Sequence, residues 1–312
     1  MKKVIYNHYG TIEDLQLVDV EIPTMQDDEV LIKVKSVAIN PLDWKKLEGQ
    51  LKIITGKKFP KGIAFDFSGI IEKKGSAVGL FQVGDAVFGA LNAMKGEALA
   101  EYIVVKPNLI YPKPSTLSFE QTSAMISVGS AAIYLFQSAR LEAENQLLIN
   151  GASGGVGLFA LQMALKKGIK TTAVASGDGL NFIKKWNPHQ TIDYKHEQVL
   201  QAPQKYHAIF ELAGTLPYSQ AKSRLLKPSV YVSTLPNPKD MLTAIFTNLF
   251  SSKKHMLVKA HPTQAIYKEL CDWTSKEGVE IIIAKAFSLN EFKEAYRYAK
   301  KGGLVGKVVF TL

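Results

Sequence analysis

Asn150-Gly151-Ala152-Ser153-Gly154-Gly155-Val156-Gly157 is the stretch of this chain whose residue types and spacing suit an anionic ligand. Glycines let a backbone turn sharply and pass close to a pyrophosphate. The first amides of a following helix then face that anion with the positive end of the helix dipole. The surroundings are those the reading requires. The apolar run Gln146-Leu-Leu-Ile-Asn150 precedes the turn as a buried strand, Leu158 to Lys167 follows with helical spacing and stops at Gly168, and Thr171-Thr-Ala-Val-Ala175 makes a second strand. Strand, glycine turn, helix and strand within about 30 residues form a dinucleotide-binding unit. Ser153, Gly154, Gly155 and Val156 are its candidate pyrophosphate contacts.

The same letters fit a second chemistry. Gly151-Ala-Ser153-Gly-Gly155 also matches the G-x-S-x-G nucleophile elbow, which would make Ser153 the nucleophile of a serine hydrolase. That reading needs an acid and then a histidine late in the chain. The last histidine is His261, and the stretch after it offers no triad partner.

Composition sets the bounds. A chain of 312 residues can form two domains and bury substantial cores. It is 46% hydrophobic and 21% charged, as in ordinary soluble proteins, and no apolar run is long enough to span a bilayer. The first residues, Met-Lys-Lys-Val-Ile-Tyr-Asn, lack the apolar core of a secretory signal. The single cysteine, Cys271, excludes an internal disulfide and any multi-cysteine zinc site, which fits a reducing, cytoplasmic compartment. The net charge of +10 is carried by scattered lysines without aromatic interleaving. It suits attraction of anions such as a phosphorylated cofactor; as a nucleic-acid signal it implies only non-specific affinity.

The elements that position the glycine turn follow from periodicity. The first ~115 residues alternate as short strands, near 3–9, 15–22, 29–39, 66–73, 85–90 and 100–105, which predicts a barrel-like all-β unit. Pro112-Lys-Pro114 closes it, and Ser118-Phe-Glu-Gln121 is a capping box opening a helix over 119–139. Helices and strands then alternate, with strands near 191–194, 208–212, 230–234 and 256–260 and helices near 179–186, 217–226 and 238–251, the pattern of a doubly wound parallel sheet. Leu242, Ile245, Phe246, Leu249 and Phe250 form an apolar stripe in the last of these helices, read as core packing, with a lid over substrate or a homodimer contact as the alternatives. A helix (263–276), a strand (281–287), a helix (289–301) and a final strand (307–312) return to the first unit.

These residues together resemble the medium-chain dehydrogenase/reductase superfamily, in its zinc-free, zeta-crystallin-like quinone oxidoreductase branch. The resemblance covers nearly the whole chain. Asn40-Pro41-Leu-Asp43-Trp-Lys45 matches the branch's N-P-x-D-x-K stretch. Asp66-Phe-Ser-Gly69 with Gly75, Val78, Phe81, Val83-Gly84-Asp85 and Val87 matches the long glycine/valine signature. Ala152-Ser-Gly-Gly-Val-Gly157, Ile192-Asp193-Tyr194 and Gly306-Lys307-Val308-Val309 match as well. The resemblance implies an α/β protein: a GroES-like β-barrel at residues 1–118, completed by 262–312, and a Rossmann domain at 119–261, with the active site between them.

It also implies a site. Catalytic zinc in the superfamily uses a cysteine and a histidine; Asn40 and Phe65 stand at those positions, so no metal is expected. NAD enzymes place Asp or Glu about 20 residues past the glycines to hold the ribose hydroxyl. Ala175 stands there and Ser176 follows, which leaves room and a donor for a 2′-phosphate, so the expected cofactor is NADPH. The resemblance places Ser176 and Tyr194 at that phosphate. Asp178 replaces a basic residue of relatives; Lys184 or Lys185 could compensate, or both could be solvated helix lysines. Ala131 replaces a threonine near the nicotinamide, with Ser127 and Ser130 as substitutes. Leu212, Gly214 and Thr234 end later strands, where the other half of the cofactor is expected. Asn40 and Lys45, with Phe287, are carried over to the reacting end. Asn40 could instead cap a turn, Phe287 pack in the core, and Lys45 be solvated. The expected function is zinc-independent hydride transfer from NADPH to a small-molecule quinone or α,β-unsaturated carbonyl, with no specific nucleic-acid partner and no membrane partner. A non-catalytic NADPH-binding scaffold is the alternative outside enzymology.

Overall fold

The computed structural model describes residues 1–201, 203–234, 244–245, 247–258 and 262–312. Two sheets dominate. The first has six strands in the order Gln190–Asp193, Lys170–Ala175, Gln146–Asn150, Tyr206–Glu211, Leu225–Ser233 and Lys253–Leu257, every neighbouring pair parallel. Its strands are apolar runs because helices cover both faces: Leu147, Ile149, Ala173, Ala208 and Phe210 join one buried cluster, Leu148, Val174 and Ile209 another. The strand order reverses between Gln146–Asn150 and Tyr206–Glu211, so a crevice opens above their carboxyl ends, where open α/β sheets take ligands.

The second sheet is the barrel. Val30–Ala38 is its spine, paired antiparallel with Asp66–Lys74, Tyr102–Val105 and the C-terminal strand Lys307–Thr311. Ile283–Ser288 pairs parallel with that last strand, so the end of the chain is built into the sheet begun by its start. Lys2–Tyr6 forms a smaller sheet with Gln16–Asp19 and Lys61–Gly62. The fold is thus α/β, a GroES-like barrel beside a Rossmann-type parallel sheet.

The helix Phe119–Ala139 joins the two. It begins at Ser118, whose hydroxyl accepts from the Gln121 amide at 3.1 Å while the Gln121 side chain accepts from the Ser118 amide at 3.0 Å. Most of its length is buried, and it touches the barrel through a 2.8 Å Ser36–Ser123 hydroxyl contact and a 2.7 Å bond from the Ser68 hydroxyl to the Phe119 carbonyl.

Local departures from the sequence pattern have identifiable causes. Pro41–Leu47 is a helix, too short to show periodicity. It is started by Pro41 at its first position and by the Asp43 carboxylate accepting from the Asn40 amide at 2.9 Å. The expected 263–276 helix runs as Gln264–Cys271 and then widens into a π turn, Asp272–Lys276. The last parallel strand lies at Lys253–Leu257, earlier than the apolar 256–260 run; residues 259–260 of that run lie outside the described residues. In the apolar stripe, Leu242 and Phe246 also lie outside the described residues. Ile245, Leu249 and Phe250 are 60%, 69% and 87% exposed, so core packing does not hold for them.

Candidate active site

The glycine turn folds as its composition dictates. Gly151 has φ +91°, a value that disfavours any side chain. A Cβ on Gly157 would lie 2.1 Å from the Gly151 carbonyl oxygen, so only glycine lets the helix Gly155–Lys166 start this close to the strand. The first amides of that helix have no acceptor within the helix itself and face the crevice.

Glu211, at the end of the adjoining strand, organises the opposite wall. Its carboxylate is 2% exposed. One oxygen accepts from the amides of Ala213 (2.9 Å), Gly214 (2.5 Å) and Thr215 (3.3 Å); the other accepts from the Leu216 amide (3.1 Å) and the Asn150 side chain (2.7 Å). Asn150 also donates to the Thr215 hydroxyl at 3.0 Å. This anion holds the 213–216 loop in shape with charge-assisted bonds. It was not singled out from the sequence; the available signal was a carboxylate closing the apolar run Ala208-Ile-Phe-Glu211.

Across the crevice lies a buried polar cluster. The Asn40 amide nitrogen donates to Asp66 at 2.9 Å, and its oxygen accepts from the Lys307 ammonium at 2.8 Å. Lys307 also donates to the Ile39 carbonyl. Burial pushes the Asp43 carboxyl up to about 7, against the pull of the Asn40 amide, Lys46 and Lys307. Burial likewise raises Asp66, with Lys307, Ser127 and Asn40 opposing, and lowers Lys307, with Asp66 and Asp43 opposing. The Lys46 side chain is buried too and donates to the Ala93 carbonyl at 3.0 Å.

Turn and cluster face one cleft of about 860 Å³. It brings together Asn40, Ser153, Gly154, Gly155, Val156, Tyr194 and Leu212, with Trp44, Ser127, Ala175 and Lys307 also lining it. Other candidates stand off its wall. Lys45 is half-buried, and its neighbour Trp44 lines the cleft instead. Phe287 is packed in the barrel core, 5.7 Å from the Tyr298 ring. Gly214 is exposed and its amide bonds to Glu211, while its neighbours Ala213 and Thr215 line the cleft. Thr234 donates its amide to the Glu211 carbonyl. Ser176 is half-buried beside the lining residue Ala175, and its hydroxyl makes no capping bond. Lys185 is held by Glu280 at 2.7 Å and lies over the Trp186 ring, whereas Lys184 is exposed. None of the described histidines lines the cleft that Ser153 faces, so the elbow reading has no base among the described residues.

Comparison with known proteins decides the family. Residues 26–115 match the alcohol dehydrogenase GroES-like domain and residues 188–310 the zinc-binding dehydrogenase domain. The chain is 32% identical to the chloroplastic quinone-oxidoreductase QR1 of Triphysaria versicolor, covering 99% of this chain and 98% of that protein. The chain belongs to the quinone oxidoreductase branch of the medium-chain dehydrogenases/reductases. It is also 32% identical to the chloroplastic NADPH-dependent alkenal/one oxidoreductase of Arabidopsis thaliana, over 69% of this chain and 58% of that one. Among solved structures, the quinone oxidoreductase of Coxiella burnetii superposes with a TM-score of 0.92 at 27% identity, covering 100% of this chain and 99% of that one.

The side chains at the positions expected for zinc ligands are not those zinc takes. Asn40 and Phe65 supply neither thiolate nor imidazole, and the Lys307 ammonium already bonds to Asn40. Among the described residues no group of three or more His, Cys, Asp or Glu is placed to hold a metal ion.

Proposed function

We propose that this quinone/enone-type oxidoreductase binds NADPH and reduces an electron-poor small molecule, a quinone or an α,β-unsaturated carbonyl, without zinc. The observation that carries the reading is the single cleft joining the glycine turn to the Asn40–Lys307 cluster. In this reading residues 119–261 hold the cofactor, and residues 1–118 with 262–312 shape the acceptor end. A bound nicotinamide supplies the hydride; the chain binds, orients and excludes water.

Ser153, Gly154, Gly155 and Val156 take the pyrophosphate through the turn and the first helical amides. Ala175 leaves the ribose end without a carboxylate, and Ser176 with Tyr194 offers hydroxyls to a 2′-phosphate. Neither Arg140, Arg224 nor Arg297 lines the cleft: Arg140 caps a helix end, Arg224 bonds to the Leu200 carbonyl and Arg297 pairs with Glu13. In this reading, recognition of the phosphate rests on the Ser176 and Tyr194 hydroxyls. Leu212, Gly214 and Thr234 shape the nicotinamide half, Gly214 through the loop Glu211 holds and Thr234 through its amide bond to the Glu211 carbonyl. Asn40 and Lys45 are the candidates of the reacting end, with Phe287 supporting them from the core. The similarity to the Arabidopsis NADPH-dependent alkenal/one oxidoreductase supports both cofactor and substrate class.

Following NADPH absorbance over a panel of quinones and enones tests the reading. Steady consumption is expected with at least one class. Tight NADPH binding with no turnover on any acceptor would instead establish the scaffold alternative.

A further inference from the structure

Lys307 is the cation that the family reading leaves without a task. In the sequence it is one residue of Gly306-Lys307-Val308-Val309. In the fold it is nearly buried, 7% exposed, yet it lines the cleft. Its strand is stitched to the cofactor turn: Gly306 bridges Gly154, and the Gly306 amide donates to the Ser153 carbonyl at 3.3 Å. Its aliphatic stem runs across the start of the pyrophosphate helix, where a Cβ on Gly155 would lie 3.0 Å from Lys307 Cδ. Its head ends at Asn40 and the Ile39 carbonyl.

An ammonium has three donors. Two are used by the Ile39 carbonyl and Asn40 Oδ1, and among the described residues no acceptor takes the third. The Asn40 amide is itself committed, its nitrogen to Asp66 and its oxygen to Lys307, so it has little left to offer a substrate. Lys45, the lysine of the family motif, does not line the cleft. A buried cation with a spare donor on a cleft wall favours an anion beside it.

We propose that Lys307, rather than Lys45 or Asn40, is the charged donor for the oxygen of the acceptor. This rests on the reductase reading above. When an enone is reduced, its β-carbon gains a C–H bond from the hydride. The electron pair displaced from the conjugated double bond settles on the former carbonyl oxygen as the reduced nicotinamide is oxidised. Lys307 donates a hydrogen bond to that oxyanion until a proton from solvent adds at the carbon next to the former carbonyl and gives the saturated ketone; a quinone instead takes the hydride at one oxygen, and Lys307 holds the anion left on the other oxygen until a solvent proton completes the hydroquinone. Asn40 and Asp66 act as positioning residues that aim the ammonium.

The test compares Lys307→Met with Lys45→Met by three measurements: NADPH Kd from fluorescence, kcat/KM for one enone and one quinone, and the absorbance titration of 4-nitrophenol added to the NADP⁺-saturated protein. Lys307→Met should leave NADPH Kd within about threefold and slow enone reduction about 100-fold, the scale of one lost oxyanion donor. It should also abolish the preference of the unmodified protein for nitrophenolate over nitrophenol; Lys45→Met should lose less of the enone rate than Lys307→Met and keep more of that preference. Should the Met variant lose its fold, Lys307→Ala with added propylammonium restores the missing atoms, and recovery of the enone rate is expected. A loss confined to NADPH Kd would make Lys307 a phosphate ligand and overturn the proposal. So would a larger loss in Lys45→Met, or an unmodified protein with no preference for nitrophenolate. If the unmodified protein reduces neither acceptor, the reductase reading falls, and the proposal with it.

Discussion

The cofactor assignment is testable at Ser176 without disturbing the fold. Ala175 is buried, so a carboxylate there would cost stability as well as affinity. Ser176 differs: it is the N-cap of the Gly177–Ile183 helix, has extended backbone angles, and makes no side-chain capping bond. Asp is as good an N-cap as Ser, so Ser176→Asp keeps the local structure. Its effect on binding is electrostatic. A carboxylate about 5 Å from a dianionic 2′-phosphate, at the near-aqueous effective dielectric of a surface site, adds about 2 kcal/mol of repulsion. Loss of the hydroxyl donor to a charged group adds about 1.5 kcal/mol. The sum predicts a fall in NADPH affinity of about 300-fold. NADH, lacking the phosphate, should bind unchanged or more tightly through its ribose hydroxyls. Fluorescence titration of both cofactors into both proteins measures this, with thermal unfolding as the control. Equal weakening of NADH and NADPH, or equal affinity of the unmodified protein for the two, would refute the reasoning.

Further outcomes follow from the same structure. Gly157→Ala places a Cβ 2.1 Å from the Gly151 carbonyl oxygen, a backbone atom that cannot yield, and should cost about 1–3 kcal/mol in urea denaturation and weaken NADPH binding. Glu211→Ala strips four loop amides of their acceptor and should cost about 3 kcal/mol, whereas Glu211→Gln keeps part of the network and loses less, both read by denaturation. Asp43 has a folded-state pKa of about 7, above the ordinary ~3.9. The native state therefore holds its proton more tightly, so its contribution to stability is full below about pH 4 and lost as pH rises through 7. Unfolding free energy measured across that window should fall less steeply in Asp43→Asn than in the unmodified protein. Prolonged treatment with a chelator should leave acceptor reduction unchanged; loss of activity restored by zinc would reverse the metal-free reading.

Most of the Rossmann sheet was legible because parallel strands buried on both faces write themselves as apolar runs, and because the glycine turn has a steric reason for each letter that matters. The long helix was legible from Ser118 and Gln121, whose capping bonds form as the sequence implies. What escaped was of two kinds. Short elements such as Pro41–Leu47 and Lys61–Gly62 give too few residues for a period to show. Distant contacts leave no local trace: nothing in Gly306-Lys307 says that its ammonium reaches Asn40, and nothing in Glu211 says that loop amides converge on it. The apolar stripe shows the limit from the other side. Helical spacing of Ile245 and Leu249 is real in the sequence, but spacing alone does not say that the side chains find a partner.

In the reading proposed above, the charges beneath the cleft suit hydride transfer in a dehydrogenase fold that carries Asn40 and Phe65 at the positions of zinc ligands. Asp66 is fully buried, as is Asp43, and neither has the water that a carboxylate ordinarily requires. Lys307 supplies part of the compensation, and its field opposes the burial that raises both acids. A thiolate and imidazole set would bind a dication there. Asn40 and Phe65 cannot, and the cluster closes instead around an ammonium that donates hydrogen bonds in fixed directions. A dication can hold a strongly basic alkoxide next to a ketone. A lysine would surrender its proton to such an oxygen but forms a stable hydrogen bond with the less basic enolate or hydroquinone anion. In the reading proposed above, a lysine in place of a metal favours conjugated acceptors, whose reduced forms spread their charge, over simple alcohols and ketones.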